Sequence, residues 1–139
     1  MFGSTANGTG PSEAQIYNNN IDRSTLPKYT RAELSKYNGS DDPKLYVAIR
    51  GTIYDVTANE ANYGQGKAYH KLVAKDVSRL LGLNRLVLPA GQEPTSGEED
   101  LTLTTWYTGD LDDKQNGIID NWIQFFEKRY HIVGVVSDV

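Results

Sequence analysis

Cysteine is absent from this sequence. That excludes disulfides, thiolate metal sites, thiolate-ligated cofactors and cysteine nucleophiles, and it removes one clue to redox compartment. Histidine is scarce, with 2 residues in 139. No apolar run approaches the roughly 18 residues that mark a bilayer-spanning helix. No basic stretch followed by an apolar one stands near Met1, so a signal peptide is not visible. Positive charge is in deficit: 14 Lys and Arg stand against 18 Asp and Glu, for a net charge of −4. Binding to nucleic acid needs clustered cations for the phosphates, and this balance argues against it. A glycine-rich phosphate loop, a flavin fingerprint and a nucleophile–base pair are also missing, so the chain does not read as an independent catalyst.

What is present suits one domain with a modest core: 38% of residues are hydrophobic and 23% charged. Residues 1–27 are rich in Gly, Ser, Thr and Asn, a composition that buries too little to repay ordering, and they read as a flexible tail. Order is expected from 28 to 137. Thr30 and Glu33 have the spacing of a capping box, and Gly39 stops the short helix they open. Leu45, Val47 and Ile49 alternate, Arg50-Gly51 turns the chain, and Ile53 to Val56 returns, which predicts a β-hairpin. Leu72, Val73, Val77, Leu80 and Leu81 recur at helical spacing, with Gly82 as the stop. Residues 84–109 are irregular and carry the acidic run Glu98-Glu99-Asp100, most simply a solvated patch. Ile118, Ile119, Trp122, Phe125 and Phe126 then line one face of a strong helix, with Trp122 and Phe126 read as core. A final strand follows over 131–136.

The stretch "NYGQGKAYHKLVAKDVSR", residues 62–79, places Tyr63 and Tyr69 on either side of two glycines, just before the helical pattern. On residue chemistry alone Tyr69 is either a packed aromatic or a ligand-bearing phenol. Tyr63 and Tyr130 read equally well as core hydroxyls that find hydrogen-bond partners. Asp76 shares the apolar stripe of its predicted helix, so its carboxylate needs a partner: Arg79 three residues on, or a loop amide. Trp106 and Tyr107 either pack their loop down or face a partner.

Four blocks, taken in order, resemble the membrane-associated progesterone receptor family. They are "YTRAELSKYNGSDDPKLYVAIRGTIYDVT", "YGQGKAY", "AKDVSR" and the run from Leu111 through Trp122 and Phe126 to "RYHIVG". The resemblance implies an α+β fold: a cytochrome b5-like haem/steroid-binding domain over residues 28–137, with a small mixed sheet and helices forming a ligand cleft. It implies a b-type haem held by a tyrosine phenolate, and the position that matches this role is Tyr69, the metal ligand. Tyr63, Arg129, Tyr130 and Lys67 would meet the haem or its propionates. The implied function is that of a haem-binding accessory protein supporting haem-thiolate monooxygenases or sterol metabolism, with a sterol or steroid as a further ligand. Its place would be cytoplasmic or peripheral at the endoplasmic reticulum membrane. The alternative is a haem-free adaptor that uses the same fold to bind proteins.

The chemistry is coherent. A phenol of pKa about 10 is held as phenolate by a hard ferric ion, and the anionic oxygen then favours the oxidised metal. Glycines at 64 and 66 let the backbone turn tightly beneath a flat ligand. With only His70 and His131 available, a bis-histidine site is disfavoured, and His70 is the reserve ligand. The sequence departs from the family around this site. Asn62 and Leu72 stand at aromatic positions, Lys67-Ala68 at Gly-Pro, and Ala74 at a glycine.

Overall fold

The computed structural model describes residues 11–83 and 106–137. Residues 1–10 of the expected tail, the irregular segment 84–105 and the acidic run at 98–100 lie outside the described residues. The first element is a helix, α1 (Glu13–Asn20), capped by the Ser12 side chain, which accepts from the Gln15 amide. A single 3₁₀ turn, Arg23–Thr25, leads into β1 (Lys28–Tyr29). The capping box of Thr30 and Glu33 forms as expected and starts α2 (Arg31–Leu34). The hairpin is also as expected: β2 (Tyr46–Ile49) and β3 (Thr52–Asp55) pair antiparallel, Ala48 opposite Ile53. Arg50 and Gly51 both take left-handed conformations in its two-residue turn.

A 3₁₀ turn and α3 (Glu60–Tyr63) follow, then the glycine-rich turn, a 3₁₀ turn at His70–Leu72, and α4 (Ser78–Gly82). The long helix is α5 (Asp113–Glu127), and β4 (Ile132–Val136) completes the sheet. Strand order is β1-β4-β3-β2, with β1 parallel to β4 and the other pairs antiparallel. This is the mixed sheet with helices that the family resemblance implies.

Alternation in the hairpin sorts side chains onto two faces. Leu45, Val47, Ile49, Tyr54 and Val56 join the main core with Ile119, Phe126 and Ile132. Tyr46, Ala48 and Ile53 face a smaller core with Leu34 and Val136, closed by the rings of Tyr29 and Tyr37.

Three expectations need correction. The tail reading fails for the described part of the arm. Ala14 and Asn18 of α1 are buried, and Ile21 and Leu26 pack against the main core. Composition undervalued this segment because much of its gain comes from hydrogen bonds to distant backbone rather than from apolar area. The single helix expected from Lys71 to Gly82 is broken. Ala74 sits at φ 69°, its amide bonds the Tyr46 carbonyl, and the Ala48 amide bonds the Lys75 carbonyl. Residues 74–77 thereby run along the outer edge of β2, with Ala48 and Asp76 in a parallel bridge. Edge pairing won over the helical periodicity, and it covers a strand edge that would otherwise be exposed. Phe125, placed on the inner face of α5 by the same periodicity, is 42% exposed, and Trp122 is only half-buried.

Candidate functional site

Two tyrosines, Tyr63 and Tyr69, line one cleft, and Tyr130 packs against Tyr63 outside that lining. Tyr63 ends α3, Tyr69 stands just before the 3₁₀ turn, and Tyr130 lies in the link from α5 to β4. The cleft wall consists of Leu72, Val77, Leu81, Trp122 and Phe126, with Tyr63 and Tyr69 beside them. α4 presents Leu81, and α5 presents Trp122 and Phe126, one turn apart on the same face. Tyr63 lies 5.7 Å from Tyr69 and 6.2 Å from Tyr130, centroid to centroid.

The glycines do what the sequence predicts. Gly66 adopts φ 79°, a conformation side chains rarely take. At Gly64 a Cβ would stand 2.7 Å from the Glu60 carbonyl oxygen. The Tyr69 amide then bonds the Asn62 carbonyl at 2.9 Å, closing the loop that delivers the phenol to the cleft.

The three hydroxyls are not equivalent. Tyr63 is 4% exposed, and burial, reinforced by the neighbouring Tyr130, pushes its phenol well above the ordinary value. It therefore stays protonated. Tyr130 accepts a 2.8 Å hydrogen bond from Asn59 Nδ2. Tyr69 is half-buried, and its hydroxyl makes no hydrogen bond to another described residue. Of the two phenols that line the cleft, it is the more exposed.

Other predicted site residues lie elsewhere. Lys67 is exposed on the glycine-rich turn, in a depression shared with Gly39, Pro43 and Gln65. Arg129, just past the end of α5, stacks its guanidinium 4.3 Å from the Phe125 ring centre, on the outer side of the helix. Neither lines the tyrosine cleft. His70 turns its Nδ1 to the Tyr63 carbonyl, 2.9 Å away, and is outside the lining as well. Asp76 takes the loop-amide alternative: its carboxylate accepts from the Gly51 and Ser78 amides and from the Ser78 hydroxyl. Burial raises its pKa. Arg79 pairs with Asp110 at 2.6 Å instead. Trp106 packs under the Arg31 guanidinium, 4.0 Å from its centroid, whereas Tyr107 is 46% exposed.

Sequence reasoning missed Asn59 and Asn18. Nothing local marks Asn59, because its partner Tyr130 is 71 positions away. The helix bearing Asn18 did carry a signal, the Ser12-x-x-Gln15 spacing of an N-terminal cap.

The donor set fits a flat apolar ligand with an electrophilic centre: a half-buried phenol at the edge of an apolar wall, beside a phenol that stays protonated. Among the described residues, no group of three or more His, Asp or Glu side chains converges on a metal site. The free space between the walls is about 10 Å³, room for about one water. A cleft this narrow does not hold a haem-sized ligand without rearrangement.

The family profile described as "Cytochrome b5-like Heme/Steroid binding domain" matches residues 30–86. The chain is 34% identical over 110 residues to "Probable steroid-binding protein 3" of Arabidopsis thaliana, covering 78% of this chain and 97% of that one. It is 35% identical over 106 residues to "Cytochrome P450 regulator dap1" of Schizosaccharomyces pombe, covering 76% of this chain and 60% of that one. Among solved structures, an Arabidopsis thaliana protein described as having a cytochrome b5 like fold superposes with a TM-score of 0.62 at 32% identity. That match covers 81% of this chain and 93% of the other.

Proposed function

This chain belongs to the cytochrome b5-like haem/steroid-binding family, in its membrane-associated progesterone receptor branch, and from that premise we propose that it is a haem-binding accessory protein in which the Tyr69 phenol would hold the haem iron. The observation that carries the reading is the half-buried Tyr69 phenol, with no hydrogen bond to another described residue, at an apolar cleft beside the fully buried Tyr63. When bound, haem would supply a ferric centre able to hold a phenolate at neutral pH. The protein's own contribution is separate from that chemistry. Leu72, Val77, Leu81, Trp122 and Phe126 exclude water from the ligand faces. Tyr63 remains protonated beside Tyr69.

Binding rather than catalysis is the role this cleft supports. One relative is described as a cytochrome P450 regulator, and support of a haem-thiolate monooxygenase is the corresponding proposal for this chain. No helix among the described residues is long and apolar enough to cross a membrane. Action at the endoplasmic reticulum surface would then be peripheral or through a partner.

Titration of the purified protein with hemin, read by Soret absorbance, tests the proposal. A saturable band with a phenolate charge-transfer feature is expected, and a flat titration of folded protein sinks it. The narrow cleft favours a second reading in that event, a haem-free adaptor.

A further inference from the structure

The N-terminal helix reaches Tyr130, the neighbour of the cleft-lining Tyr63, through one side chain. Asn18 is 4% exposed, although amides seldom are. Its Nδ2 donates to the carbonyls of Glu127, at 3.0 Å, and Tyr130, at 2.9 Å. Its Oδ1 accepts from the Ile132 amide at 2.8 Å. Ser12 adds a bond from its hydroxyl to the Lys128 carbonyl. Glu127 and Lys128 end α5, where carbonyls have no partner within the helix. The arm thus caps α5 from more than 100 positions away and ties the link that carries Tyr130. Outside this anchor, His131 pairs with Glu13 at 2.9 Å and stacks on Tyr17, and Arg23 pairs with Glu127 at 3.2 Å.

Tyr130 is consequently held at both ends. Asn18 fixes its main chain, and Asn59 fixes its hydroxyl beside Tyr63. We propose that Asn18 is a positioning residue for the ligand cleft, so that docking of the N-terminal helix and ligand binding between the tyrosines strengthen one another. Resting on the haem-binding reading above, the inference adds the arm to the binding unit. Because linkage is reciprocal, whatever the arm contributes to ligand affinity the ligand returns as arm stability.

The test uses the full chain and hemin. In the parent, hydrogen exchange of the α1 amides and of the Ile132 amide should slow when hemin is added. Exchange unchanged by saturating hemin overturns the coupling, and this measurement needs no variant to fold. Asn18→Ala should weaken hemin binding about fivefold or more although Asn18 does not line the cleft. Added to Tyr130→Phe, it should weaken binding no further, because its effect runs through that hydroxyl. An Asn18→Ala protein that melts lower but binds hemin like the parent assigns Asn18 a structural role only and refutes the proposal. If the parent binds no hemin, the haem-binding reading fails and the ligand coupling falls with it. Positioning itself is then decided by NMR of the ligand-free protein. Tyr130 ring resonances that move alike in Asn18→Ala and Asn59→Ala support it, and resonances that stay put in Asn18→Ala refute it.

Discussion

Tyr69 and Ala74 show how much one side chain decides here. Tyr69→Phe keeps the ring that packs against the main core and removes only an oxygen with no partner among the described residues. Its melting temperature should match the parent's while the Soret response to hemin collapses; retention of the parent spectrum would reassign the ligand. Tyr63→Phe removes a hydroxyl from a buried side chain. It should lower stability by about 0.5–1.5 kcal/mol and weaken hemin binding less than Tyr69→Phe. Ala74 stands where the family resemblance places a glycine, and the structure supplies the reason. Its φ of 69° is left-handed, which costs an L-residue roughly 1–2 kcal/mol. Glycine loses some of that advantage through its freer unfolded chain. Ala74→Gly should therefore raise stability in urea by somewhat under about 1 kcal/mol, and a loss would show that the methyl's packing outweighs the strain.

At the scale of elements, α5 divides its aromatics among separate tasks. Phe126 is 1% exposed and contacts Tyr54, Tyr63 and Tyr130. Phe126→Ala should cost about 3–5 kcal/mol in denaturant. Trp122 is half-buried on the cleft wall. Trp122→Ala should cost less than about 3 kcal/mol and show itself mainly in hemin affinity. Comparable losses of stability in the two variants would put Trp122 back in the core. Periodicity gave the inner stripe of α5 but assigned Phe125 to it wrongly. Neighbouring helix residues lie about 100° apart, so Phe125 falls off the face that Phe126 buries, and Arg129 stacks on it. The pattern from Leu72 to Leu81 misled for a related reason. Residues that bury on one side look alike in sequence whether they belong to a helix or to a turn, an edge strand and a short helix in succession.

For the whole molecule, buried phenols set the alkaline limit. Burial, aided by neighbouring groups, raises the pKa of Tyr29, Tyr54 and Tyr63, and that of Tyr46 to about 12. A group whose folded pKa exceeds its unfolded value of about 10 contributes stability that is complete below that pH. The contribution is lost as pH rises through the folded value, because the unfolded chain then binds fewer protons. Stability should hold up to about pH 10 and then fall steeply. Tyrosinate absorbance should rise in step with unfolding read by circular dichroism. Full ionisation of the phenols in a still-folded protein would contradict the burial of this cluster.

Composition and short-range pattern determined what depends on neighbours along the chain: the absence of thiol chemistry, the Thr30 capping box, the two-residue hairpin turn, and the glycine-rich approach to Tyr69. Each follows from backbone geometry or a bond spanning a few residues. The blocks from Tyr29 to Tyr130 also carried the family, and with it the α+β fold. Tertiary structure alone decided the role of the arm, the break at Ala74, the departure of Lys67 and Arg129 from the cleft, and the inequality of the three phenols. Those outcomes rest on groups far apart in sequence, such as Asn18 with Tyr130 and Asn59 with Tyr130. A buried polar atom takes whichever partner the completed fold brings to it, and no spacing along the chain records that choice.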